Sequence, residues 1–187
     1  MQVESFNIKG PLLLTPARYE DDRGWFTETF NAATFADAVG RDVTFVQDNE
    51  SHSLQSGTLR GLHFQHPPFA QGKLVRCTRG AIIDVAVDIR EDSPTLGQHV
   101  KVKLDDKTGQ QFWIPEGFAH GFVTRQNNTR VAYKCTFAYA PQAEGTIVWN
   151  DPLLHIDWEV SDPILSDKDR RAPGYADFVT PLPIPTG

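Results

Sequence analysis

The chain is poor in the residues that mark several protein classes. It has two cysteines in 187 residues, Cys77 and Cys135. That argues against the disulfide framework of small secreted domains. Both lie in apolar, strand-like runs, where buried reduced thiols are expected. No apolar run approaches the roughly 20 residues that span a bilayer, so no membrane partner is expected. Basic residues are outnumbered, with 18 Lys and Arg against 24 Asp and Glu, a net charge of -6 and a pI of about 5.4. General nucleic-acid binding needs a basic face, so nucleic acid is not an expected partner, although a local positive pocket is still allowed. The opening M-Q-V-E-S-F-N-I-K-G has neither a basic nor an apolar leader segment. It predicts no signal peptide and, with reduced thiols, a cytoplasmic setting. Long helical patterns are missing as well.

What remains reads as one all-β domain over residues 1–187, because this length supports one full core and leaves little for a second. Thirteen prolines and fourteen glycines punctuate short strands. In Ala81 to Ile89, Ile83, Val85, Val87 and Ile89 alternate with Asp84, Ala86 and Asp88; Val100 to Leu104 and Arg130 to Phe137 alternate in the same way. Period two, with turn residues at Asp105–Gly109 and Gln126–Asn128, predicts antiparallel sheets with one buried face. Pro11–Thr15, Trp25–Phe30 and Thr44–Asn49 read as further strands, and Ala17–Gly24 as a charged loop. Asn31–Val39 is the best helix, with Thr34 as its cap and Gly40 as its stop. From Pro173 onward the tail is proline-rich and predicts a segment wrapped on the surface or on a partner. A jelly roll with few short helices fits this spacing.

The stretch T-L-R-G-L-H-F-Q-H-P-P-F-A-Q-G-K, residues 58–73, concentrates chemistry. It sets His63, His66, Arg60 and Lys73 among apolar residues, which suits an anionic substrate and proton transfer. Trp113 to Phe122 holds P-x-G-x-x-H in Pro115, Gly117 and His120. That spacing resembles the second motif of the cupin superfamily, where a turn aims a histidine into a barrel mouth. The first cupin motif would supply H-x-H and then Glu. Here the spacing is H-x-x-H, and i and i+3 on a strand face opposite ways, so no metal site is expected. An inward histidine is then free as acid or base. Tyr133 shares the expected core face with Val131, Cys135 and Phe137 and is either a core phenol or a proton donor. Ser166 and Asp169 stand in S-x-x-D spacing, which fits a helix cap and equally a carboxylate that orients a histidine.

Together D-D-R-G-W-F-T-E-T-F (21–30), Q-D-N-E-S (47–51), T-L-R-G-L-H-F-Q (58–65), Q-G-K-L-V-R-C (71–77), W-I-P-E-G-F-A-H-G-F (113–122), Y-K-C-T (133–136) and I-L-S-D-K-D (164–169) resemble the dTDP-4-dehydrorhamnose 3,5-epimerase family. The resemblance covers nearly the whole chain in order. It implies a metal-free, cofactor-independent cupin-type jelly roll and a homodimer. The substrate it implies is dTDP-4-keto-6-deoxy-D-glucose, in dTDP-L-rhamnose biosynthesis. By resemblance His63 is the base, Asp169 its dyad partner, Tyr133 the acid, and Lys73 the stabiliser of the enolate oxygen. Arg23, Glu28, Gln47, Asn49, Arg60, His120, Glu144 and Lys168 match positions that bind the nucleotide-sugar, and Tyr139 matches the position that stacks on thymine. One conflict follows from strand geometry. Strict alternation puts Arg60 and His63 on opposite faces, so an irregularity at Gly61, a bulge or a twist that re-aims one of them, is expected if both serve one site.

Overall fold

The computed structural model of the protein describes residues 1–177; the part of the proline-rich tail beyond them lies outside the described residues. The strands are β1 (Gln2–Ser5), β2 (Leu12–Thr15), β3 (Arg18–Asp21), β4 (Gly24–Thr27), β5 (Gln47–Ser53), β6 (Leu59–Gln65), β7 (Lys73–Arg79), β8 (Ala81–Asp88), β9 (His99–Asp105), β10 (Gln111–Ile114), β11 (Phe118–Thr124), β12 (Thr129–Cys135) and β13 (Glu144–Thr146). Two short α-helices, α1 (Ala32–Val39) and α2 (Asp167–Arg170), join them. A six-stranded sheet runs β1-β2-β10-β7-β12-β5 and a five-stranded sheet runs β13-β6-β11-β8-β9. Every ladder between these named strands is antiparallel. This is the two-sheet jelly roll that the strand spacing predicts.

The inner core lies between the sheets. Val75, Cys77, Ile82, Ala86, Phe112, Phe118, Phe122 and Val131 meet there, and Tyr133 packs on them. A second cluster coats the outer face of the five-stranded sheet, where Leu62, Val85, Val87 and Val123 meet Ile147, Leu154 and Trp158 of the C-terminal segments. Strand β8 is therefore buried along its whole length. One buried face was expected; the C-terminal chain folds back and covers the other. Outside the six-stranded sheet, α1 packs Phe35 on Leu14, Leu74 and Trp113.

Local chemistry explains several departures from pattern. The α1 cap is Asn31, whose side chain accepts from the Thr34 backbone N–H; Thr34 itself lies inside the helix. Gly40 closes it in the left-handed region at φ 78°, a conformation glycine adopts without strain. The charged stretch Ala17–Gly24 holds half of a two-stranded ribbon, β3 with β4, because alternating side chains there face solvent on both sides. The N-terminal strand β1, exposed throughout, carries no hydrophobic alternation to announce it. Strand β5 begins at Gln47, later than the apolar pattern suggests. Among the described residues no helix is long and apolar enough to cross a membrane.

Candidate active site

The cleft takes its walls from both sheets. The five-stranded sheet supplies β6, on which residues 59–65 carry Arg60 and His63. The ladder between β6 and β11 is irregular: His120 faces His63, yet Phe122 faces Arg60. Three steps on β6 thus match two on β11, and the extra residue is a bulge, an irregularity of the kind that the face conflict calls for. Gly61 occupies it at φ 130°. A Cβ there would lie 2.5 Å from Gly121 Cα and 2.8 Å from the His120 carbonyl oxygen, so glycine is required on both conformational and steric grounds. The result is that Arg60 and His63 line one cavity.

Asp169 arrives from outside the sheets. Ile164 pairs with Thr58 just before β6, which brings α2 over the strand. Ser166 caps α2: its hydroxyl accepts from the Asp169 N–H at 3.1 Å and donates to Asp169 Oδ2 at 2.8 Å. The other carboxylate oxygen, Oδ1, lies 2.5 Å from His63 Nε2. The cap and the histidine-orienting carboxylate are therefore the same residue pair, and both readings of S-x-x-D hold. Burial alone would push the Asp169 carboxyl up, but bonds from His63 and Ser166, with Lys168 nearby, hold it below the usual carboxylate range. With Nε2–H donated to Asp169, His63 Nδ1 is left as the free lone pair.

The six-stranded sheet supplies the opposite wall. Lys73 opens β7 beside Cys135 of β12, and Tyr133 lies on β12 between Val75 and Asn49. Burial pushes the Tyr133 phenol up. Burial also lowers the Lys73 ammonium, opposed by Cys135, Asp84 and Glu144. His120, buried on β11, reaches Asp84 Oδ1 through Nε2 at 2.6 Å. A cavity of about 400 Å³ is lined by Arg60, His63, Lys73, His120, Tyr133, Lys168 and Asp169. A neighbouring one of about 270 Å³ shares His63, Lys73 and Tyr133 and adds Gln47, Asn49, Cys135, Tyr139 and Glu144.

That second cavity is a tied network. Gln47 accepts from the Tyr139 N–H at 2.9 Å and donates to Asn49 Oδ1 at 2.9 Å. Asn49 donates to Cys135 Sγ at 3.6 Å. The Tyr139 hydroxyl donates to Glu144 at 3.2 Å, and Glu144 pairs with Lys168. Burial would raise Glu144, but Lys168 and Tyr139 keep it below the usual range. The Tyr139 ring remains exposed. His66 stays outside, its ring against Phe64. Among the described residues no group of three or more His, Cys, Asp or Glu side chains is placed to hold a metal ion.

Two expected binding residues are not brought in. Arg23 sits at the exposed β3–β4 turn, paired with Asp21 at 2.6 Å, and Glu28 accepts from Asn31 at 3.4 Å; neither lines either cavity of their own chain. Conversely, Asp84 and Ser51 were not singled out from the sequence. Ser51 lines the larger cavity, and its hydroxyl is buried without a partner, as is Asp84 Oδ2. The signal for Asp84 was present: an acid inside the apolar run A-I-I-D-V-A-V.

Comparison with known proteins agrees with this geometry. Residues 5–177 match the sequence model of a family described as dTDP-4-dehydrorhamnose 3,5-epimerase. The dTDP-4-dehydrorhamnose 3,5-epimerase of Salmonella typhimurium is 53% identical over 167 residues, covering 89% of this chain and 91% of the relative. The Bacillus anthracis enzyme of that name, solved with TDP and PPi bound, superposes with a TM-score of 0.90 at 45% identity, covering 92% of this chain and 98% of that one. The dTDP-6-deoxy-D-glucose-3,5-epimerase of Legionella pneumophila, solved with dTDP-4-keto-L-rhamnose, gives 0.88 at 45% identity, covering 92% of both chains.

Proposed function

This chain belongs to the dTDP-4-dehydrorhamnose 3,5-epimerase family, and from that premise we propose that it inverts C3 and C5 of dTDP-4-dehydro-6-deoxy-D-glucose to give dTDP-4-dehydro-L-rhamnose. The observation that carries the reading is the His63–Asp169 dyad, with His63 on one sheet and Asp169 on α2 beside it, facing a cleft whose other wall holds Tyr133 and Lys73. Protons alpha to a ketone become acidic only if the developing enolate is stabilised, and a cation at the carbonyl oxygen does that. Lys73 fills this role at C4. His63 Nδ1 takes the proton from C3, and in a second cycle from C5, while Asp169 accepts Nε2–H and steadies the imidazolium. Inversion needs the new proton from the other side; Tyr133, on the opposite sheet, delivers it.

The remaining residues hold the nucleotide. The forked donors of Arg60 suit the diphosphate, and the exposed Tyr139 ring offers a flat face for thymine. Gln47, Asn49, His120, Glu144 and Lys168 contact the nucleotide-sugar. Arg23 and Glu28 belong to the same site in a homodimer: the β3–β4 ribbon, a two-stranded sheet separate from the two larger ones, carries exposed Tyr19, Trp25 and Phe26 and would place Arg23 and Glu28 at the partner's cleft. The chain acts as a single domain in the cytoplasm and needs no cofactor. Product analysis tests the reading. The purified protein should convert dTDP-4-dehydro-6-deoxy-D-glucose into a sugar whose proton couplings report L configuration at C5 and inversion at C3; an unchanged sugar would refute it.

A further inference from the structure

Asp84, on β8, stands behind His120, which lines the cleft. It is wholly buried, and it shares the barrel interior with Ile82 and Ala86 of the same strand, both members of the inner core. Its Oδ1 accepts from His120 Nε2 at 2.6 Å; its Oδ2 is buried with no partner. A buried carboxylate with an unmatched oxygen is costly, on the order of 1–3 kcal/mol for the missing bond alone. A hydrophobic residue of that size would serve the core better, so packing does not account for it. The titratable groups that feel Asp84 are His120 on β11, and Lys73 and Cys77 on β7. Those that feel Lys73 are Cys135, Asp84, Glu144 and Lys168. Burial acts against the Lys73 charge, and Asp84 opposes that effect.

We propose that Asp84 is a positioning residue of the epimerase, acting on two groups at once. Through Oδ1 it fixes His120 as the tautomer whose Nδ1 alone is left for the sugar. Through its charge it keeps the Lys73 ammonium in place beside the enolate oxygen. The inference rests on the epimerase reading. It gives the site a second histidine–carboxylate pair, with a task unlike that of the first: His63–Asp169 moves protons, and His120–Asp84 prepares the electrostatics that receive the charge.

The test compares wild-type protein with Asp84→Asn, which keeps the volume and removes the charge. Kinetics on dTDP-4-dehydro-6-deoxy-D-glucose should show kcat about 10²-fold lower, the scale of a lost oxyanion donor. The affinity for dTDP should change less than about twofold, since the groups that hold the nucleotide are untouched. The alkaline limb of the kcat profile should move to lower pH. Nitrogen-15 NMR of the wild-type histidines supplies a readout that needs no variant: His120 should carry its proton on Nε2. An Asp84→Asn protein with unchanged kcat and unchanged limb would overturn the inference. So would a dTDP affinity that falls in step with kcat, which marks a merely structural role, or a His120 proton on Nδ1. A wild-type protein that exchanges neither C3 nor C5 protons removes the epimerase reading itself; wild-type exchange with an unaltered variant removes only the role of Asp84.

Discussion

At the scale of single residues, labour is divided between side chains of ordinary chemistry. Tyr133→Phe removes only the phenolic proton. We expect His63 still to remove protons in that variant and solvent to return them on the same face. In deuterated water the substrate should take up deuterium while keeping its configuration, with product formation down on the order of 10²–10⁴-fold, the range of general-acid catalysis. Proton NMR separates exchange from inversion; a variant that still inverts at the wild-type rate would remove Tyr133 from the mechanism. Asp169 allows a stability test with a definite sign. Its carboxyl sits below its usual range in the folded protein, through His63, Ser166 and Lys168 acting against burial. A depressed folded value means that the stabilisation is present above the unfolded carboxyl's range and is lost as pH falls through the folded one. Asp169→Asn should therefore lower Tm at neutral pH, with the two melting curves converging in acid. A constant difference in Tm down to the most acidic pH at which both still fold would contradict that linkage.

At the scale of elements, β6 shows why one glycine matters. The bulge at Gly61 puts Arg60 and His63 into one cavity, and its φ of 130° with backbone atoms 2.5 and 2.8 Å from any Cβ admits no side chain without movement. Gly61→Ala should destabilise by about 1–3 kcal/mol from the backbone conformation alone, measured by urea unfolding, and should weaken binding of dTDP by displacing Arg60. Unaltered stability and binding would mean that the strand tolerates a regular ladder. Much of this element was legible in advance: the face conflict between residues 60 and 63 demanded an irregularity, and Gly61 was where it could occur. The alternation in Ala81–Ile89, Val100–Leu104 and Arg130–Phe137 marked β8, β9 and β12 in the same way. Other elements were not legible because their signal is not periodic. The β3–β4 ribbon is exposed on both faces, so no apolar alternation marks it. The second buried face of β8 depends on residues 147–158 returning from far along the chain, which local pattern cannot report. The two cavities join residues from Gln47 to Asp169; the local stretch 58–73 already grouped Arg60, His63 and Lys73, resemblance named most of the others, and neither pointed to Asp84.

At the scale of the whole molecule, the question is whether one chain makes a complete site. Arg23 and Glu28 lie away from their own cleft, on and beside a ribbon with exposed aromatics. If the partner's ribbon completes each cleft, two different inactive chains should rescue one another. Mixing His63→Ala with a chain carrying Arg23→Ala and Glu28→Ala, after dissociation and reassociation, should regenerate one intact cleft in each mixed dimer. Activity should then exceed the sum of the separate variants by at least tenfold; strict additivity would confine each site to one chain. Above all these stands the claim that one cleft with one base and one acid inverts two carbons. The most direct measurement is proton NMR of the wild-type protein with dTDP-4-dehydro-6-deoxy-D-glucose in deuterated water. The account predicts deuterium at both C3 and C5 of an L-configured product, while label at a single carbon, or none with the nucleotide-sugar bound, would contradict it.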